Sequence, residues 1–448
     1  MASGAMPAPS VWLTTLGCAK NQVDSEKVTA MLAAAGYRRA DDPESADVVV
    51  VNTCAFIEEA RRESVETILE LDAAKRPGAR TVVIGCMAQR FGVEVAQALP
   101  EVDAVLGLDR YGELVETLDR LTAWTPVTLR RPPAMDILHA VERPAPSLPY
   151  AYVKVAEGCD KPCTFCAIPL IRGAQRSRSA GNLAAEVAGL TRAGVKEVVL
   201  VAQDLAAYGR DLGEEGGIVG LIRLLSGIEG LDRLRLLYLY PKEIRPALIE
   251  EIAGNPVVAP YFDLSLQHAS GGLLKTMKRP GDGARHLALI EAIRRADPDA
   301  ALRSSFIVGF PGETERHVEE LADFLEEARL DWAGFFPYSP EEGTPAAHLP
   351  GRVGRGEVGE RLRRLQEAQE AITAAANLAW LDRETDVLVD QVEDGVPVGR
   401  SYRQAPEIDG VVVLDRGAPG QWVRARVVAA LGADVEAQAL PAVSGSRE

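Results

Sequence analysis

The sequence predicts an α/β chain in three parts: a small parallel-sheet domain at the amino terminus, a partial (β/α)6 barrel, and a small antiparallel β-barrel at the carboxyl terminus. Three observations predict it. Short valine-rich runs alternate with amphipathic stretches in two separate sets, the pattern of strand–helix units on a parallel sheet. A proline-dense stretch divides the two sets. Beyond residue 381 helical periodicity gives way to short runs broken by Asp-Gly and Pro-Gly turns.

The first part, residues 11–122, reads as strands at Val11–Leu16, Asp47–Val51, Thr81–Ile84 and Val102–Leu106, with helices at Asp24–Ala35, Glu58–Ala74 and Val93–Leu99. Its second strand is nearly all valine, as suits a sheet covered on both faces. Residues 123–149 hold Pro126, Pro132, Pro133, Pro144, Pro146 and Pro149 and read as a linker.

The second part, residues 150–380, repeats the unit six times. Strands are expected at Tyr152–Val155, Glu197–Ala202, Arg235–Tyr240, Tyr261–Leu266, Leu302–Val308 and Gly334–Pro337. Helices are expected at Leu183–Ala193, Ile218–Ile228, Arg245–Ala253, Gly283–Ala296 and Arg316–Ala328. Six units are too few to close an eight-fold barrel, so a partial one is expected. A long helix at Glu357–Trp380 ends this part. The third, residues 381–448, shows strands at Thr385–Val392, Gly410–Leu414 and Trp422–Ala429.

A formal charge of −16 over 448 residues disfavours nucleic acid at long range and favours basic partners. No apolar run reaches the ~20 residues of a membrane span. Residues 1–10 lack the basic and apolar regions of a signal peptide and read as a disordered leader. The expected location is the cytoplasm, where six cysteines point to metal or catalysis rather than disulfides.

Cys159, Cys163 and Cys166 form C-x3-C-x2-C in the loop after the first barrel strand. Three thiolates in so short a loop suit three corners of a four-iron cluster, leaving one iron open. Structural zinc is the competing reading, but zinc takes four ligands and no partner pair follows. Cys18, Cys54 and Cys86 are far apart in sequence, yet each follows a strand of the first domain. In an open parallel sheet the carboxyl ends share one edge, where ligands bind. A lone cysteine is more often an apolar filler; three at equivalent strand ends are expected to converge and to hold a second cluster.

The C-x3-C-x2-C loop at the first strand of a partial barrel resembles the radical S-adenosylmethionine (SAM) superfamily, from Tyr150 to about Ala375. The resemblance implies SAM as cofactor, bound at the open iron and cleaved to a radical. It also implies SAM contacts from Phe165, beside Cys166, and from the Gly309-Phe-Pro-Gly-Glu313 run, with Gly309, Gly312 and Glu313. Gln203-Asp204 and Gln267-His268 follow barrel strands, where polar groups usually face a ligand. For Phe165 the alternative is a core-facing loop residue; for His268, a satisfied core histidine; for the 309–313 run, a simple turn. Glu341-Glu342 reads as a solvated face.

Over nearly its whole length the chain resembles the methylthiotransferases, which carry an amino-terminal cluster domain, a radical SAM core and a terminal TRAM domain. The resemblance implies two [4Fe-4S] clusters, with SAM as both methyl donor and radical source. Two branches of that family differ in substrate. The MiaB-like branch modifies an adenosine of transfer RNA; the RimO-like branch modifies an aspartate of a small-subunit ribosomal protein, number twelve. Leu16-Gly-Cys-Ala-Lys-Asn-Gln-Val-Asp-Ser-Glu26, Leu266-Gln-His-Ala-Ser270 and Arg400-Ser-Tyr-Arg-Gln-Ala-Pro-Glu-Ile-Asp-Gly410 resemble the second. From Leu381 on there are seven arginines, no lysine and twelve carboxylates, a surface suited to a basic ribosomal protein rather than to RNA phosphates. Nucleic acid is expected to enter only through the ribosome. One departure is Ala206 and Ala207, where the family often has hydroxyl residues. The competing readings are the MiaB-like activity and a non-catalytic iron–sulfur carrier; the sequence names neither electron donor nor sulfur source.

Overall fold

The computed structural model describes residues 8–121, 136–144, 146–213 and 216–441. Most of the expected leader (1–7), residue 122 and half of the expected linker (123–135, 145) lie outside the described residues.

The first domain holds β1 (Ser10–Thr15), α1 (Ala19–Ala34), β2 (Arg38–Arg39), β3 (Val48–Thr53), α2 (Glu58–Ala74), β4 (Arg80–Gly85), α3 (Cys86–Ala98), β5 (Ala104–Leu106), α4 (Leu114–Asp119) and the short α5 (Asp136–His139). Its sheet runs β2-β1-β3-β4-β5, with every pairing parallel. The central β3 is buried along its whole length, as a strand covered on both faces must be. Ser10, read as leader, opens β1, its amide donating to Asp47 Oδ2 at 2.7 Å. α1 begins five residues before the position its apolar spacing predicts. The reason is that Lys20, Asn21, Asp24, Ser25 and Lys27 are all buried, so one face of this helix is both polar and interior. α3 likewise starts at Cys86, well before Val93, after Gly85 turns the chain at φ +96°.

The second domain holds β6 (Tyr150–Lys154), β7 (Ala156–Glu157), α6 (Ile168–Arg172), β8 (Arg176–Ser177), α7 (Ala180–Arg192), β9 (Glu197–Val201), α8 (Gly217–Ser226), β10 (Arg233–Leu236), α9 (Pro246–Gly254), β11 (Tyr261–Gln267), α10 (Gly271–Thr276), α11 (Gly283–Ala296), β12 (Ala301–Val308), α12 (Glu315–Ala328), β13 (Trp332–Pro337) and α13 (Arg355–Leu378). The strands form two parallel triplets, β6-β9-β10 and β11-β12-β13. Single bridges at Leu234–Val258 and Leu239–Leu264 join them. This is the expected six-stranded partial barrel. Period-two alternation sends Val198 and Leu200 outward, into the core shared with α7 and α8, and Val199 and Val201 inward. The interior set, with Tyr152, Tyr261 and Trp332, also takes in Val23 of α1.

The terminal domain is a closed barrel in the order β14 (Glu384–Glu393), β15 (Val396–Arg400), β16 (Val412–Leu414), β18 (Asp434–Ala439), β17 (Trp422–Leu431). Four pairings are antiparallel and β16–β18 is parallel. β15 escapes the sequence reading because Pro397 and Gly399 interrupt its run of apolar residues. Gly399 in fact lies so close to the Leu388 carbonyl that no Cβ fits. β18 escapes it because its inward residues, apart from Val435, are small alanines.

The segment 400–409 plugs the amino-terminal end of the partial barrel. Arg400 and Arg235 both engage Glu197, at 2.9 and 2.7 Å. Tyr261 donates to Asp409 at 2.5 Å and the Trp332 indole to the Arg403 carbonyl at 2.8 Å. Glu197 is fully buried; burial works to raise its pKa, but Arg400, Arg235 and Arg233 prevail and hold it at about 2.

The expectation of a solvated face at Glu341-Glu342 is corrected in half. Glu342 is exposed, but Glu341 is 1% exposed. It takes Arg61 of α2 and, at 2.5 Å, Arg90 of α3, so it latches the first domain to the second. A carboxylate can be buried only when so paired. Glu341→Ala leaves two guanidinium groups facing one another without an anion. It is expected to cost about 3–5 kcal/mol, read as a lower denaturant midpoint and faster proteolysis between the domains; an unchanged midpoint would show the latch to be unimportant.

Candidate functional site

Three adjacent parallel strands, β1, β3 and β4, end at Thr15, Thr53 and Gly85. Cys18, Cys54 and Cys86 follow them directly, on one edge of the sheet. Gly17 lies so near Cys54 that a Cβ on it would come within 2.8 Å of that side chain, and its φ is +91°. Only glycine allows that approach. Asn21 ties the edge together: its amide donates to the Leu16 carbonyl (2.9 Å) and the Thr53 carbonyl (3.1 Å), and its Oδ1 accepts from the Cys86 thiol at 3.5 Å.

Cys159, Cys163 and Cys166 occupy a loop closed at its base by the β7–β8 pairing of Ala156 with Ser177 and Glu157 with Arg176. Gly158, at φ +71°, sits against the Ala174 carbonyl, where no side chain fits. Thr164 pins the loop's middle, its amide donating to the Met277 carbonyl at 3.1 Å. Ala167 and Ile171, just past Cys166, pack into the core of the first domain. The loop is thus built into both domains.

Arg172 joins the two sets of cysteines. It is 1% exposed. Nη1 donates to Glu157 at 2.8 Å, two residues before Cys159. Nη2 donates to Asn21 Oδ1 at 2.7 Å, to Asp24 at 3.2 Å and to the Cys86 sulfur at 3.5 Å. Lys154 completes the group, paired with both Asp24 and Glu157. Burial alone would raise the Glu157 pKa; Lys154 and Arg172 overcome this and hold it at about 2. Lys20, two residues past Cys18, makes a second crossing. Its ammonium donates to the Ala202 carbonyl at 3.3 Å and lies 3.6 Å from the Tyr238 ring centre.

These cations act on the thiols. Burial pushes Cys54 up to about 12 and raises Cys86. Burial also works to raise Cys18, but Lys20 and Arg172 outweigh it and lower its pKa. Burial pushes Cys166 up to about 12 and raises Cys159 as well. Metal ligation takes the thiolate. Among the described residues, no three His, Cys, Asp or Glu side chains close on the shell of a single ion, which is the arrangement structural zinc requires. Within each set the thiols lie near enough to raise one another's pKa, as residues gathered at one cluster, each on a different iron, would.

The remaining candidates fall into separate groups. Gln203 and Asp204 follow β9, next to Ala202. Both amide atoms of Gln203 are buried without a hydrogen-bond partner, as expected of a group that a ligand completes. Asp204 pairs with Lys161 of the cysteine loop at 3.1 Å, and burial raises its pKa. His268 and Glu313 are both fully buried. His268 Nδ1 accepts from the amides of Ala269 and Ser270 at 2.9 and 3.0 Å. Its proton therefore sits on Nε2, 3.6 Å from Glu313. Glu313 accepts from the Gly309 amide (2.9 Å) and from Arg361 (2.7 Å). Gln267 ends β11 at φ +73°, a strained setting for a side-chain residue. Gly312 donates to the Gly351 carbonyl at 2.8 Å. Phe165 packs with Leu273, Met277 and Phe310. Ala206 and Ala207 are buried. Sequence reasoning missed Arg172, Lys154 and Asp24 as a unit. Asp24 and Lys20 stand inside the quoted Leu16–Glu26 motif, but nothing near Arg172 marks it beyond a charge in the apolar run Ile168–Arg172.

A six-stranded partial barrel with a three-cysteine loop after its first strand defines the chain as a radical SAM enzyme. Residues 153–325 match the radical SAM superfamily, residues 10–107 match the uncharacterized protein family UPF0004, and residues 383–440 match the TRAM domain. The chain belongs to the RimO family of ribosomal protein uS12 methylthiotransferases. It is 48% identical over 410 residues to the Moorella thermoacetica protein of that name, covering 91% of this chain and 93% of that one. It is 43% identical over 470 residues to the one from Saccharopolyspora erythraea, covering 98% and 96%. Among solved structures it is similar in fold to the radical S-adenosylmethionine methyltransferase TsrM from Kitasatospora setae, with a TM-score of 0.52 at 15% identity over 76% of this chain and 77% of that one.

Arg172→Met is expected to strand Glu157 and Asp24 on Lys154 alone. A loss of about 3–5 kcal/mol in chemical denaturation, with proteolytic opening of the 157–177 loop, is the expected outcome. A variant as stable as the parent would contradict the account of this network.

Proposed function

We propose that the chain transfers a methylthio group to the β-carbon of an aspartate in ribosomal protein uS12, with one [4Fe-4S] cluster on Cys159, Cys163 and Cys166 and a second on Cys18, Cys54 and Cys86. The observation that carries the reading is the pair of cysteine triads, at the carboxyl edges of two parallel sheets and joined through one buried arginine. When bound, the clusters and SAM would supply the one-electron cleavage, the carbon-centred radical and the methyl and sulfur for transfer.

The chain's own residues supply the setting. Arg172 and Lys20 offset thiolate charge at the first triad. Arg279 donates to the Cys163 sulfur at 3.5 Å and the Lys161 amide to the Cys159 sulfur at 3.5 Å. Hydrogen bonds of this kind tune a cluster's potential. Gln203, unpaired and buried beside the Lys20 crossing, is a candidate for holding SAM or substrate. Phe165, Asp204, Gln267, His268, Gly309, Gly312 and Glu313 remain candidate SAM contacts; for His268 and Glu313 the contact would act through the loops they brace. The CH2 beside a carboxylate is too weakly acidic for base chemistry at neutral pH, which favours a radical route. The acidic terminal barrel docks at the amino ends of the core strands, away from the cysteines, so it would grip a basic partner at a distance from the reacting carbon.

Anaerobically reconstituted protein is expected to hold about eight irons, four per cluster. Cys159→Ala should halve the iron and abolish deoxyadenosine formation. Cys54→Ala should also halve it, yet leave deoxyadenosine formation and lose methylthio transfer. Stoichiometric zinc with little iron, or full turnover by Cys54→Ala, would end the two-cluster reading.

The substrate is tested by offering uS12 and unmodified transfer RNA in parallel to reconstituted enzyme with reductant, SAM and a sulfur source. The mass of a methylthio group is expected on the aspartate peptide alone. Binding should weaken as salt rises, since exposed charges are screened beyond ~10 Å at 0.1 M. Modified RNA with unmodified protein would assign the MiaB-like activity; no SAM cleavage at all would leave an iron–sulfur carrier.

A further inference from the structure

Lysine is scarce in this chain. Nine are present, and four of them, Lys161, Lys242, Lys275 and Lys278, line one cavity of ≈ 550 Å³ together with Arg279. In a protein of net charge −16 this concentration is the reverse of the overall surface. Its two carboxylates are already engaged: Glu243 pairs with Lys161 of the same cavity and with Arg210, and Asp282 caps α11 through the Arg285 amide, so the uncompensated charge is that of the other three lysines. Lys242, Lys275 and Lys278 are exposed, and no ion pair involving them occurs among the described residues.

The cavity abuts the C-x3-C-x2-C loop. Lys161 and Pro162 belong to that loop and also line the cavity. Arg279 and the Lys161 amide touch the sulfurs of Cys163 and Cys159, as above. Tyr240, 5% exposed, lies between the two cations, 4.2 Å from Arg279 and 4.8 Å from Lys161, measured to its ring centre. The aromatic ring is thus already covered, and offers no platform on which a nucleic-acid base could stack.

We propose that this lysine-lined face is the docking site of an acidic one-electron carrier protein that reduces the cluster on Cys159, Cys163 and Cys166. It rests on the cluster assignment above, but not on the choice of substrate. The carrier gives up one electron and the cluster gains it; no bond to the protein forms or breaks. Opposite charge steers such partners to fast, salt-sensitive encounter, and the loop brings the contact face directly against two ligating sulfurs.

The test compares wild type with the triple variant Lys242→Glu, Lys275→Glu and Lys278→Glu, both reconstituted with iron and sulfide. Iron content and the paramagnetic signal after dithionite should match, which shows that the variant folds and loads. With a reduced acidic flavodoxin, the variant's cluster reduction should slow at least about tenfold, and added salt should slow wild type towards the same rate. If the triple variant does not load, single Lys→Ala variants are compared in the same way. Equal flavodoxin rates overturn the proposal, as does a wild-type cluster that dithionite reduces but neither flavodoxin nor an acidic ferredoxin does. So would unchanged flavodoxin rates together with lost binding of a ribosomal RNA fragment, which would make the face an RNA contact.

Discussion

The geometry of the candidate site depends on a single buried cation. Arg172 is enclosed between two domains and holds an acid from each, Asp24 of α1 and Glu157 at the foot of the cysteine loop, while touching the Cys86 sulfur. Removing such a group from water costs several kcal/mol, recovered only where its hydrogen bonds are met on all sides. Here they are, and Lys154 balances the second carboxylate. The site therefore depends on the domains being correctly placed: separate them, and Asp24 loses both its cations, while Arg172 and Lys154 are left to share Glu157 alone. Glu341 with Arg61 and Arg90 repeats the device on another part of the same interface.

The core barrel is closed at its two ends by different means. Helix α1 enters from the carboxyl end, with Val23 in the interior cluster and Lys20 over Tyr238. Segment 400–409 enters from the amino end and meets Glu197, Tyr261 and Trp332. The chemistry-bearing thiols stand at one end and the terminal barrel at the other. On the proposed function, the acidity of the terminal domain would bear on where a partner is gripped, not on what happens at the reacting carbon.

Much of this was legible in the sequence, and what was not has a common cause. The valine-rich β3, the unit count of the core, three cysteines at strand ends and three in the loop after the first barrel strand follow from patterns that apolar periodicity and spacing report. Periodicity is blind to polar residues that are buried, so it missed the first turn of α1 and read Glu341 as solvated. It is blind also to strands broken by proline and glycine, so β15 has no counterpart in the sequence reading. Arg172 carries no motif; its role comes from three segments meeting, which spacing along one of them does not reveal. His268 and Glu313 were correctly placed at strand ends, but only coordinates show that they hydrogen-bond within their own loops.

The central claim is the proposal that the two cysteine triads each hold a cluster in one shared site, with Arg172 reaching from the foot of one cysteine loop to the Cys86 sulfur. Electron paramagnetic resonance of the fully reduced, reconstituted protein tests it most directly. Two paramagnetic clusters in one site should interact, so the wild-type spectrum should be broadened or split relative to the sum of the spectra from Cys54→Ala and Cys159→Ala. A wild-type spectrum equal to that sum would mean that the clusters do not sense one another, and would contradict the account.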